Sequence, residues 1–207
     1  MKNRQTAAEA VILFLLVYNP FIRTGNSLVL NSSSALRGAA YALGQAAVLL
    51  FFMFMIKKYR PADLGFLCPR LKDAGSTVLL TTLLFAVTAA GRLILPQVNN
   101  DFLELSGNTA FILVPMLLVA AFGEELFFRA YLLKALGDAF GFRAAVAVSS
   151  LLFASGHIYQ GFQNTVLIFV LGIVLCIFYR RTGSIAVNTA AHFLFNYIPL
   201  FLLLQSL

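Results

Sequence analysis

Residues 109–133 read TAFILVPMLLVAAFGEELFFRAYLL, an apolar run broken near its end by Glu124, Glu125 and Arg129. About 20 apolar residues at about 1.5 Å each cross the hydrocarbon of a bilayer. The run is therefore long enough to span, and its charges sit where charges are costly. The rest of the 207-residue chain agrees with a membrane setting: 60% of residues are hydrophobic and 11% charged. Soluble domains average about 45–50% and about 25%. So few charges cannot cover a soluble surface, which excludes an ordinary cytosolic enzyme, a disordered chain and a small secreted scaffold.

Six further apolar stretches lie at 7–22, 36–56, 74–96, 143–160, 163–179 and 184–206. The expected fold is all-α, a polytopic transmembrane helical bundle of about seven spans, with a polar loop at 24–35. Lys2 and Arg4 before the first stretch resemble a signal peptide. No small-x-small cleavage site follows, so a retained helix is expected. With the N-terminus cytoplasmic, inner segments hold Lys2, Arg4, Lys57, Lys58, Arg60, Arg70, Lys72, Lys134, Arg143, Arg180 and Arg181, and outer ones hold Arg23 and Arg37. Eleven against two is a strong positive-inside bias, and it places the C-terminus outside. It also accounts for the net charge of +7 without a nucleic-acid partner, since no basic stripe interleaved with aromatics is present. Cys68 and Cys176 form neither a disulfide framework nor a metal motif.

Three places carry polar groups at membrane depth, where such groups usually have a function. In the first, Glu125 and Arg129 are four apart in the favourable order for an ion pair. Glu124, about 100° around the helix, points elsewhere without a local partner. In LLFASGHIYQ (151–160), His157 follows Phe153 by four, and its plain reading is a bond to a backbone carbonyl. In NTAAHFLFNYIPL (188–200), His192 and Asn196 share one helix face, as an interhelical bonding pair would. The chain's two histidines both fall in these stretches. Counted from the cytoplasmic helix ends, Glu124 lies about 15 Å deep, His192 about 14 Å and His157 about 21 Å. A carboxylate, two imidazoles and an amide can thus reach one level from three helices.

Glu beside His suits removal of a proton from water, and His with Asn suits donation to a developing oxyanion. Together they provide what amide hydrolysis by water requires. No Ser or Cys is placed as a nucleophile, Ser155 lying on another face from His157. Two His and one Glu are also a catalytic zinc set, so Glu124, His157 and His192 are the alternative metal ligands, although no HExxH helix is present.

GEELFFR (EExxxR), FASGH (FxxxH) and HFLFN (HxxxN), in this order on successive apolar segments, resemble the CPBP family. These are the CAAX-prenyl-protease and bacteriocin-processing intramembrane proteases, the Rce-type endopeptidases among them. The resemblance covers about 109–203. Length and composition suit a single membrane domain over 1–207, in which residues 1–108 complete the bundle or select a substrate, and the resemblance implies an all-helical catalytic core at 109–203 with a site opening toward the cytoplasm. It further implies that Glu124 and His157 activate water, that His192 and Asn196 form the oxyanion hole, and that Glu125 and Arg129 support them. The family goes by both metalloprotease and glutamate-type names. The expectation is that no cofactor is required, with zinc as the alternative.

The expected substrate is a membrane-associated protein or peptide, not necessarily prenylated, and the expected location is the cell membrane, the bacterial inner membrane in particular. A non-catalytic immunity or partner-binding protein is the alternative of another class. A proton-coupled transporter is a weaker one, because no internal repeat is visible.

Overall fold

The computed structural model describes residues 2–18, 73–95 and 110–205, with 43, 44, 47, 50 and 54 between them. Those five positions are helical; the rest of the expected second span, the 24–35 loop, Cys68 and the basic residues of 57–72 lie outside the described residues. The described chain is all helical. Helix α1 (Lys2–Leu13) continues as a π-helical turn, Phe14–Tyr18, and α2 is Asp73–Ile94. A long rod follows: α3 (Ala110–Glu125), a π-helical segment Leu126–Leu133, and α4 (Lys134–Phe140). Then come α5 (Phe142–Ser155), a 3-10 turn Ile158–Gln160, α6 (Phe162–Thr182) and α7 (Ile185–Gln205).

Three of these helices, Asp73–Ile94, Phe162–Thr182 and Ile185–Leu202, are long and apolar enough to cross a membrane. Their outer faces are greasy: Val78, Leu79, Leu93 and Ile94 on α2 and Leu202 on α7 are exposed. Such exposure is costly in water and unremarkable against lipid tails. Within α2 the hydroxyls of Thr77, Thr81 and Thr88 bond back to the carbonyls of Asp73, Thr77 and Leu84, so these polar side chains need no water.

Two apolar clusters hold the bundle. In one, Phe14 and Tyr18 of the first helix stack on Phe127 and meet Phe128 edge-on, which ties the N-terminal segment to the π-helical part of the rod. In the other, Leu80 and Leu84 of α2 pack with Leu171, Leu175 and Phe178 of α6 and with Val187 and Ala191 of α7. Helix α5 lies along α6, and α3 along α7. The α5–α6 approach is close because position 172 is glycine. A methyl there would stand 3.2 Å from the Ser150 Cα and 3.3 Å from the Phe153 ring.

The stretch 143–160 is not one helix. Helix α5 stops at Ser155, whose hydroxyl bonds the Leu152 carbonyl, and Gly156 and His157 form a turn before the 3-10 residues. Ser, then Gly, supply local bonding and freedom that a continuing helix does not need. Gly161, with φ of 90°, then redirects the chain into α6.

Candidate active site

The polar residues converge where the end of α3, the π-helical segment, α5 and α7 meet. Glu125 is fully buried, and its carboxylate is the hub. Arg129 Nη1 donates to Glu125 Oε1 at 3.0 Å, and His192 Nδ1 lies 2.9 Å from the same oxygen. Asn188 Nδ2 donates to Oε2 at 3.1 Å. The i→i+5 bonding of the π-helical turn is a local widening of a kind that clusters at functional sites. Here it begins directly after Glu125 and carries Arg129 inward, where neither residue touches solvent.

The other nitrogen of His192 faces the second carboxylate: Nε2 stands 3.8 Å from Glu124 Oε2, close but not hydrogen-bonded. The imidazole therefore sits between adjacent carboxylates, which point apart yet meet the same ring from two sides. His192 is itself buried, and the Glu124 side chain is 12% exposed. Helix α7 delivers this ring because Ser184 starts it. The Ser184 hydroxyl accepts the Val187 N–H, an N-cap that fixes the register from which Asn188, His192 and Asn196 follow at four-residue steps.

His157 occupies the turn after α5, not a helix interior. Its Nδ1 is 2.9 Å from the Phe153 carbonyl. A carbonyl only accepts, so Nδ1 carries a proton, and the neutral form of this ring has its lone pair on Nε2. Phe153 is what brings the histidines together. Its ring lies 5.1 Å from that of His157 and 6.0 Å from that of His192, and the Arg129 guanidinium stands 4.5 Å above it. Cation and ring attract in that geometry, which holds Arg129 over the site. Tyr159 adds a further ring beside His157, at 6.3 Å.

Asn196 is half-buried one turn beyond His192 on the same helix, and no hydrogen bond joins its side chain to another described residue. Glu124, His157 and His192 offer the donor chemistry of a zinc site. Among the described residues, however, no group of three or more His, Cys, Asp or Glu side chains is arranged to hold a metal ion.

Two contributors escape a reading of the sequence alone. Asn188 was legible as a polar residue four before His192, but its partner Glu125 lies 63 positions away. Phe153 had a signal in its spacing from His157. Its contacts with Arg129 and His192 come from other helices.

Residues 106–198 match the family described as Type II CAAX prenyl endopeptidase Rce1-like. No curated protein and no solved structure matches the chain. The matched segment holds every group described above, from Glu124 to Asn196, and over it the chain is similar to the Rce1-like CAAX prenyl endopeptidases.

Proposed function

We propose that the chain is a multi-pass intramembrane endopeptidase, residing in the bacterial inner membrane, that hydrolyses a peptide bond of a membrane-associated protein or peptide. The observation that carries this reading is the position of His192, held at 2.9 Å by the buried Glu125 and standing 3.8 Å from the less buried Glu124. One carboxylate is spent on orienting the ring, which leaves the other available to a water molecule.

In this mechanism Glu124 and the bare Nε2 of His157 take hold of water. Glu124 accepts a proton as the water oxygen attacks the scissile carbonyl carbon. The carbonyl oxygen becomes an oxyanion that receives hydrogen bonds from His192 Nε2–H and the Asn196 amide. For His192 to donate there it must carry both ring protons, because Nδ1–H is already given to Glu125. Collapse of the intermediate expels the amine, which takes the proton back from Glu124. Glu125 and Arg129 act as supports. Every step uses protein groups alone.

Glu124→Gln should abolish processing while the protein still accumulates in the membrane. Comparing the termini of membrane proteins in wild-type and variant cells reads this out, and normal processing by the variant would falsify the assignment. A farnesylated CAAX-type peptide serves as a direct reporter. Should the variant protect cells from a bacteriocin as well as the wild type does, the protein acts by binding and not by cleavage. Chelation of purified protein should leave turnover unchanged. Stoichiometric zinc with chelator-sensitive turnover would replace the metal-free mechanism.

A further inference from the structure

Asn188 is fully buried and bridges three elements. From α7 its amide nitrogen donates to Glu125 Oε2 at 3.1 Å, at the end of α3, and to the Leu175 carbonyl at 3.0 Å, within α6. Both partners are acceptors, so the orientation of the amide is fixed by chemistry, with Nδ2 toward them. Its Oδ1 has no partner and is buried too. A carboxamide held this way is used for its two N–H groups, at the cost of an unsatisfied oxygen.

The two oxygens of Glu125 are unequally served. Oε1 receives Arg129 and His192, whereas Asn188 is the one described partner of Oε2. Without Asn188, Oε2 has no described partner, and the carboxylate is held at Oε1 alone and can pivot about its last bond. Such pivoting lengthens the His192 contact and swings Nε2 relative to Glu124. An apolar side chain at 188 would fill the space but not stop that rotation.

We propose that Asn188 is a positioning residue: by holding Glu125 at Oε2 it keeps the His192 Nδ1–H on Oε1 and aims Nε2 at the reacting centre. This rests on the proteolytic reading above for its effect on rate, but not for its effect on the imidazole. Removing the supporting partner of a metal-ligating histidine costs about 10–100-fold in affinity or activity, and the same order is expected of an oriented ring here. Asn188→Ala should therefore lower kcat by about that factor on the farnesylated CAAX-type peptide, with KM within about twofold.

The chain contains two histidines, so its imidazole spectrum can be assigned with one variant. Uniformly 15N-histidine-labelled protein in nanodiscs gives two rings, and His157→Gln leaves that of His192. In the wild type, His192 Nδ1 should be protonated and a single state. In Asn188→Ala, and in Asn188→Ser, whose hydroxyl is too short to reach both acceptors, the nitrogen signals should average or split. A wild-type ring with bare Nδ1 overturns the proposal whether or not either variant folds. So do unchanged His192 signals alongside a lowered kcat, or altered signals with kcat unchanged. If Glu124→Gln also remains active, the assignment of Glu124 as the base fails with its own test. If Glu124→Gln is inactive and Asn188→Ala is not, the positioning role alone fails.

Discussion

Arg129 has no solvent exposure, and two of its guanidinium nitrogens, Nε and Nη2, lack hydrogen-bond partners. Its charge is answered by Glu125 and its flat face by Phe153. Arg129→Ala removes the guanidinium partner of the buried Glu125 carboxylate, a change that costs about 3–5 kcal/mol in comparable pairs. Thermal unfolding in detergent and the amount of protein in the membrane should both fall sharply. Arg129→Lys keeps the charge but loses the planar stack over Phe153. It should accumulate better than the alanine variant and still turn over more slowly than wild type. The Glu125–Arg129 pair was legible in the sequence because its partners are a helical turn apart. The remaining contacts of Glu125 were not: His192 lies 67 positions away. Spacing shows which residues share a face and is silent on what that face meets.

Helix α5 is held against α6 through Gly172, and that contact sets where Phe153 stands. Gly172→Val would push side-chain atoms into the Ser150 backbone, which cannot rotate aside as a flexible side chain could. Overpacking of this kind costs about 1–3 kcal/mol. The helices should separate, displacing Phe153 from His157, His192 and Arg129 together, so turnover should fall further than stability. Parallel measurement of turnover and unfolding temperature checks this, and a variant with both unchanged would show the close approach to be dispensable. At this scale the apolar runs read well from sequence, since 74–96, 163–179 and 184–206 correspond to α2, α6 and α7 within a few residues. Two features did not. The π-helical segment has no compositional mark, and the break at Ser155–Gly156 was masked by apolar residues on either side. Local polarity signals a span, whereas a change in backbone bonding within it is set by packing.

Across the molecule, residues before 109 do more than lengthen the chain: Phe14 and Tyr18 brace the rod that carries Glu124 and Glu125, and α2 covers α6 and α7. In the proposed topology the turn after α6, with Arg180 and Arg181, faces the cytoplasm. A cysteine placed at Gly183 in a protein lacking its two native cysteines should react with an impermeant maleimide in inverted vesicles and stay protected in intact cells. Labelling from the outside would invert the whole arrangement. The Lys and Arg distribution makes this expectation possible from sequence, yet the residues that weigh most in it, those of 57–72, lie outside the described part of the chain.

Helix α5 has 14 residues, about 21 Å of rise against a hydrocarbon layer of about 30 Å. Beside it α6 runs 21 residues, about 32 Å. In the proposed membrane arrangement lipids along this flank would meet a step, and a bilayer bordering a short helix thins locally to follow it. The non-helical backbone around His157 is tolerated at such a depth where it borders protein or water and not acyl chains. A substrate helix arriving at this dimple would shed part of its lipid jacket before any side chain touched it, exposing backbone that hydrocarbon otherwise keeps folded and out of reach of hydrolysis.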